Sequence, residues 1–214
     1  GVAPRIQVSA RLVERIVRHN GRSAQSGRER ATGGASEVRS TARIAQLRVG
    51  LPEREYRDTP GGVSLRSDAR SAAAGAPVIA MAIPLESRSH DLGGFYETID
   101  RHAFGRTLVD DRAGIVGLWQ HDPSDVLGRL SNGTMTAKVG SRALEVSVTL
   151  DPEDPAHVGF ARRVARGDVN AASFGFLTRR DRWEDLPDGS VLRTLLDVEL
   201  FDVSAVTWPA YPSS

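Results

Sequence analysis

The sequence predicts an α+β domain, mainly an antiparallel β-barrel with a few surrounding helices. Three observations carry that expectation. From residue 77 onward, short apolar runs recur between Gly, Asn, Ser and Asp turn signals, the mark of many short strands. A single stretch, residues 154–167, shows a helical pattern with both ends marked. Antiparallel strands in such number commonly curl and close to remove their edges. Composition and periodicity do not by themselves separate a barrel from another α+β arrangement.

The amino-terminal part differs from the rest. Residues 1–75 carry 14 arginines against 7 carboxylates, a balance of +7, whereas residues 76–214 balance at −6, so the net charge of +1 conceals a basic front and an acidic body. Tracts rich in Ser, Gly and Ala, from Gly21 to Ser40 and from Gly61 to Ala76, hold too few large apolar residues to offset the entropy of ordering them. Residues 1–75 are therefore expected to be a partly flexible Arg-rich arm and residues 76–214 the folded domain, with a chain beginning near Ala76 able to fold alone. Within the arm, Leu12, Val13, Ile16 and Val17 fit a short helix over 10–18, and residues 42–49 read as a small strand. The arginines either attract an anionic partner, such as nucleic acid or an acidic protein surface, or form a solvated tail. The usage of 27 Arg to 1 Lys, with Tyr56 the only aromatic in the arm, favours the tail over nucleic-acid contact.

The strands follow in order. Residues 77–84, closed by Pro77 and Pro84, suit an edge strand or one that opens a sheet. Residues 95–99 form the next, after which Asp100 is placed to cap a short helix through His102, Ala103 and Phe104. Residues 115–120, 126–130, 135–139 and 143–150 read as strands, and in the last Leu144, Val146 and Val148 alternate with Glu145, Ser147 and Thr149. The helix at 154–167 has Asp154 as its cap, Pro155 in its first turn, an apolar stripe of Val158, Ala161, Val164 and Ala165, and Gly167 as its stop. Residues 171–178, 182–184, 191–196 and 198–206 complete the strands, and the Pro-rich run 208–212 ends regular structure.

Composition narrows the chemistry. A chain of 214 residues with 40% hydrophobic content can bury one good core. The absence of cysteine removes disulfides, a thiol nucleophile and thiolate metal sites. No apolar run approaches the roughly 18 residues of a membrane span, and the Arg-rich start lacks the apolar centre of a secretory signal. A soluble chain not exported by that route is expected.

Two residues in apolar, strand-like runs are the pair that serine nucleophilic catalysis requires: His121, after Trp119-Gln120, and Ser173, within Ala172-Ser173-Phe174-Gly175-Phe176. A hydroxyl is a poor nucleophile at neutral pH, and an imidazole within reach can take its proton and return it to the leaving group. Phe174 and Phe176 alternate with Ser173 and Gly175, so the rings are buried on one face and the hydroxyl lies on the other. His121 stands where an apolar strand ends, with Asp122-Pro123-Ser124-Asp125 expected to turn the chain. His19, His90, His102 and His157 fall in the arm, a polar turn and helical segments. A metal-hydrolase reading with His121, Asp122 and His157 as ligands has no HExxH or comparable spacing behind it.

From about Ile83 to Pro212 the sequence resembles the prohead (capsid maturation) serine proteases of HK97-type tailed phages. The segments that carry the resemblance are Gly94-Phe95-Tyr96-Glu97-Thr98-Ile99 with His102-Ala103-Phe104; Gln120-His121-Asp122 with Leu127-Gly128-Arg129; Arg166-Gly167-Asp168 before Ala172-Ser173-Phe174-Gly175-Phe176; and Val198-Glu199-Leu200-Phe201-Asp202-Val203-Ser204 with Val206-Thr207-Trp208-Pro209-Ala210-Tyr211-Pro212. The family is similar to the herpesvirus assemblin proteases, which implies a β-barrel with helices packed around it. The resemblance implies Ser173 as nucleophile, His121 as base and an acid just before Val203-Ser204, which is Asp202. The family more often has Glu there. Glu199 is the alternative, and a period of two puts it on the face opposite Asp202, so that only one can point at the site. Backbone N–H groups near Gly175 or at a Leu127-Gly128-Arg129 turn are candidate oxyanion donors. The implied function is a serine endopeptidase that clips the scaffolding segment from the major capsid protein, and itself, in the interior of a procapsid in the bacterial host cytoplasm. No cofactor is implied, and a homodimer or higher oligomer is compatible with the reading. The rival is a non-catalytic scaffolding or capsid-assembly protein that keeps the protease fold.

Overall fold

The structure, a computed structural model, describes residues 34–59, 62–66, 75–110 and 114–207, with side chains from Ser40 onward. The expected helix at 10–18 and the expected stop at 208–212 lie outside the described residues. The chain divides into two compact units, Gly1–Arg39 and Ser40–Ser214, and the contacts below belong to the second.

Helix α1, Gly34–Val49, stands where a strand is expected over 42–49. Ala42, Arg43, Ala45, Gln46 and Arg48 are good helix formers, and the half-buried residues Ile44 and Leu47 are three apart, a helical stripe. A window of only two apolar side chains at that spacing is too short to betray its period. Polar bonds fasten the helix: Arg43 donates to the Gly189 and Gly94 carbonyls at 3.0 and 3.3 Å, and Arg48 pairs with Asp181 at 2.5 Å.

Ten strands follow among the described residues: β1 Glu55–Thr59, β2 Val63–Arg66, β3 Val78–Pro84, β4 Tyr96–Ile99, β5 Val116–Trp119, β6 Asp122–Arg129, β7 Met135–Val139, β8 Ala143–Thr149, β9 Ala171–Asp185 and β10 Val191–Val206. Helix α2, Thr107–Asp110, precedes β5, and α3, Pro155–Arg166, joins β8 to β9. A six-stranded sheet has the order β1-β9-β10-β5-β6, with β4 also on β10; a four-stranded sheet has the order β2-β3-β8-β7. The fold is therefore mixed α+β, mostly strands with few helices, and the expected barrel is corrected: the sheets do not close. Period-two alternation looks the same in a barrel and in two sheets packed face to face, and only the pairing of the edges distinguishes them. Here β2 meets the other sheet's chain through a bond from Val63 N–H to the Asn170 carbonyl, and β6, with bulges on both sides of its Leu118 pair, ends its sheet with β5 as its partner.

Other differences have equally local causes. The four expected carboxyl-terminal strands are two long ones, β9 and β10, because the exposed Arg179 and Arg180 look like a break in the apolar pattern while the ladder runs on past them. Strand β3 is interior, paired with β2 and β8; its proline lies at its last position, where no inner ladder bond is lost. Strands β4 and β5 run parallel to β10, so the sheet is not wholly antiparallel. Asp100 does cap the next turn, accepting from His102 N–H at 2.8 Å, but helix begins only at Thr107. Helix α3 matches its sequence signals: Asp154 accepts from Ala156 N–H, and Gly167 closes it in the left-handed conformation with φ 83°. Leu127-Gly128-Arg129 is not a turn but the end of β6, where a Cβ on Gly128 would come within 2.7 Å of Val148 on the facing sheet. The shared core joins Ile79, Met81, Ile83, Leu144, Val146 and Val148 to Phe104, Phe174, Phe176 and Val203.

A charge cluster is buried beside this core. Arg193 on β10, 2% exposed, donates to both carboxylate oxygens of Glu55 on β1, to Glu97 on β4, and to Thr178 and Asp181 on β9, at 2.5 to 3.0 Å. Arg57 adds bonds of 2.7 Å to Glu55 and Glu97. Burial pushes the Glu55 carboxyl up, but hydrogen bonds from Arg193 and Thr178 and the charges of Arg193 and Arg57 hold it below the ordinary carboxylate range. Burial pushes the Arg193 guanidinium down, but the carboxylates of Glu55, Glu97 and Asp181 hold it above its ordinary value.

Because β1 and β2 precede residue 76, a chain beginning at Ala76 loses an outer strand of each sheet together with Glu55 and Arg57. Removing one partner of a buried ion pair costs about 3–5 kcal/mol. Glu55→Gln is therefore expected to lower stability at neutral pH by that order, and the chain from Ala76 by at least as much. With its folded pKa depressed, Glu55 contributes stability fully above the ordinary carboxylate pKa, about 4.3, and loses it as pH falls through the depressed folded value. Urea unfolding at neutral and acid pH checks this: Glu55→Gln should show the shallower acid loss, and equal slopes would remove Glu55 from the account.

Candidate active site

Ser173 lies in β9 between two neighbours, directly opposite Asp58 on β1 and Ser204 on β10. Opposed residues share a face, so these three side chains stand together while Phe174 and Phe176, stacked at 4.9 Å, enter the core from the other face. Ser173 has no exposed surface. A substrate carbonyl reaches its hydroxyl only when the groups covering it move.

Asp202 reaches the same face through an irregularity. Leu200 pairs with Phe176 but Asp202 pairs with Gly175, so two steps along β10 match one along β9. The extra residue, Phe201, makes a β-bulge that shifts Asp202 from the Phe174 position to the Gly175 position and so reverses its face. The expectation that a period of two sends Glu199 and Asp202 to opposite faces is thereby corrected: Glu199 pairs with Leu177, on the face of Gly175 and Ser173. Glu199 lies four β9 residues from Ser173 in register and binds Arg179.

His121 comes from the β5–β6 hairpin. Trp119 pairs with Asp122, so the turn is Gln120-His121 itself rather than the expected Asp122–Asp125, which belongs to β6. Both turn residues have φ 58°, the left-handed conformation required at both centres of a type I′ turn and usually supplied by Asn-Gly. Tertiary bonds hold it: Gln120 N–H donates to the Ala205 carbonyl at 3.0 Å, and its side-chain amide donates to Thr207 Oγ1 at 2.6 Å. The imidazole is thereby turned back over the sheet.

The three residues meet there. His121 Nδ1 lies 2.5 Å from Asp202 Oδ1, and His121 Nε2 lies 2.7 Å from Ser173 Oγ. Asp202 is buried and the His121 side chain is 20% exposed. An ionised carboxylate only accepts, which assigns the proton to Nδ1 and leaves Nε2 to accept the Ser173 hydroxyl. In a site so poorly hydrated each of these bonds is stronger than in water. The series can move a proton from Ser173 to the imidazole while the carboxylate balances the resulting charge.

Two neighbours escape sequence reasoning. Tyr56 on β1, opposite Gly175, sets its ring edge-on to His121 with centroids 4.5 Å apart. Tyr56 falls within the residues expected to be a flexible arm, and its standing as the lone aromatic there is the signal the sequence offers. Ser204 Oγ donates to Asp202 Oδ1 at 2.7 Å and is fully buried; its parity becomes readable only once the bulge is known. The metal-ligand reading does not assemble. Asp122 accepts from the Ser124 hydroxyl and N–H, which hold its carboxyl below the usual range, and His157 Nδ1 accepts from Asp151 N–H. Among the described residues no group of three or more His, Cys, Asp or Glu is placed to hold a metal, and no helix is long and apolar enough to cross a membrane. A cavity of about 640 Å³ lies at the free edge of β1, lined by Arg57, Ile83, Arg88, Phe95 and Phe174 among others, and includes none of Ser173, His121 and Asp202.

Gly175 makes the arrangement sterically feasible. A Cβ there would overlap the Asp202 carboxylate and come within 2.9 Å of Tyr56 Cε1. Gly175→Ala is expected to destabilise the fold by about 1–3 kcal/mol, the range for inserting a methyl into a packed site. Chemical denaturation measures it, and unchanged stability would mean that Asp202 has another place to go.

No curated protein matches the chain. Among solved structures it is similar to the bacteriophage T4 capsid assembly protease, gp21, at 10% identity and a TM-score of 0.48, over 75% of this chain and 100% of that one. A family model described as caudovirus prohead serine protease matches residues 64–214, a span that holds His121, Ser173 and Asp202 but not Tyr56. By that match, over most of its length, the chain belongs to the caudovirus prohead serine protease family.

Proposed function

We propose that the chain is an active serine endopeptidase that clips the scaffolding segment from the major capsid protein, and processes itself, inside a procapsid in the host cytoplasm. The observation that carries this reading is the hydrogen-bonded series from Asp202 through His121 to Ser173, within the span of the family match. Ser173 Oγ attacks the scissile carbonyl carbon as His121 Nε2 takes the hydroxyl proton. Asp202 stabilises the imidazolium and keeps its Nδ1–H in place. The tetrahedral intermediate collapses as Nε2 returns the proton to the departing amine, leaving an acyl ester on Ser173; a water, deprotonated by His121, then hydrolyses the ester and restores the hydroxyl. This chemistry calls on no cofactor.

Coexpression of the chain with its major capsid protein, followed by gels and intact mass measurement, tests the reading. Ser173→Ala and His121→Ala should each lower cleavage by about 10⁶-fold, and Asp202→Asn by about 10⁴-fold, following the order seen when members of such a series are removed singly. Glu199→Gln should cleave normally. Cleavage retained by Ser173→Ala, or absent from the folded wild-type chain, would overturn the proposal and favour a scaffolding protein that keeps the fold alone.

A further inference from the structure

We infer that Ser204 is a positioning residue of this site, acting on the reaction through Asp202; the inference rests on the catalytic reading proposed above. Ser204 stands directly opposite Ser173 in the β9–β10 ladder and, like it, has no exposed surface. The two hydroxyls nonetheless have different partners. Ser173 Oγ meets His121 Nε2, whereas Ser204 Oγ donates its hydrogen bond to Asp202 Oδ1, so Ser204 has no imidazole beside it to take its proton and pass it to a leaving group. Ser204 is thus not a second nucleophile.

Its bond fixes the carboxylate. Asp202 Oδ1 receives two donors, the imidazole Nδ1–H at 2.5 Å and the Ser204 hydroxyl at 2.7 Å, while Oδ2 occupies the space left by the missing side chain of Gly175. A carboxylate with a single donor can turn about its terminal torsion, which is broad. With Ser204 bonded to the same oxygen as His121, rotation breaks two charge-assisted bonds instead of one. The buried Asp202 also has little water to replace a lost donor. Ser204 therefore keeps Oδ1 aimed at Nδ1, and through it keeps Nε2 aimed at Ser173. The bulge at Phe201 serves both residues, since Asp202 and Ser204, two apart on β10, are brought to the Ser173 face together.

The test uses the whole chain acting on its purified major capsid protein, with Ser204→Ala, which removes the hydroxyl and some volume, and Ser204→Cys, which nearly keeps the volume but donates weakly. Both should lower kcat about tenfold and leave KM within about twofold, as expected for loss of one hydrogen bond to a charged group that substrate does not touch. In proton NMR, the His121 Nδ1–H signal, identified by its disappearance in His121→Ala, should move or broaden in both variants while circular dichroism shows each still folded. Wild-type kcat in either folded variant would overturn the inference, as would a loss confined to Ser204→Ala, which would make Ser204 a packing residue. Should Ser173→Ala itself retain cleavage, the catalytic reading fails first, so the two failures are distinguishable.

Discussion

The extra residue between Leu200 and Asp202 decides on which side of the six-stranded sheet an acid is placed. In an unbroken ladder Asp202 would lie opposite Phe174, on the face where that ring packs against Phe104 and Phe176. A carboxylate there would be buried without a partner, which costs far more than a lost hydrogen bond. The bulge turns the same residue toward Ser173 and returns Val203 and Ala205 to the core. One local irregularity thus satisfies both faces, and it makes the glycine at 175 necessary, because the displaced carboxylate lies over it.

The opposite face carries its own constraint. Arg193 draws partners from β1, β4 and β9, so it fixes their register as well as their adjacency. A one-residue slip of β1 would send Glu55 to the other face and leave Arg193 short of its bidentate partner. It would also remove Tyr56 from its place opposite Gly175 and against His121. The buried ion cluster and the candidate site are thereby coupled through β1: the pairing that satisfies Arg193 on one face sets the wall of the imidazole on the other.

Much of this was legible in the sequence where the cause is local. The strand at 135–139, the alternation of Leu144, Val146 and Val148, and the caps Asp154 and Gly167 follow from neighbours a few residues away, and their positions match. Ser173, His121 and Asp202 are legible through segments that resemble a family, and His121 lies within hydrogen-bonding reach of both the others. What was not legible is what depends on partners far along the chain. A bulge leaves no mark in the composition of β10, so an unbroken period of two places Glu199 and Asp202 on opposite faces where the structure places them on one. Strand β1 has charged residues at Glu55, Arg57 and Asp58 and reads as solvated arm until Arg193, 138 residues away, is seen to neutralise Glu55. Closure of the sheets is likewise a property of edges, which alternation does not encode.

The turn at Gln120-His121 shows how such distant partners can sustain what local preference opposes. Two consecutive residues other than glycine in the left-handed region cost about 1 kcal/mol or more each. The Gln120 side chain offsets that cost through Thr207, and its N–H through Ala205, both at the end of β10. Ala205 lies on the strand that carries Asp202 and Ser204, and Thr207 directly follows it, so the hairpin that presents His121 is registered against the acid it must meet and not against solvent. Asn-Gly in the same turn would relieve the backbone but would remove the imidazole and draw the amide back by one methylene from Thr207. The strain at this turn is therefore tied to the placement of the base, and the fold can sustain it because β10 is held on both flanks, by β9 and by β5.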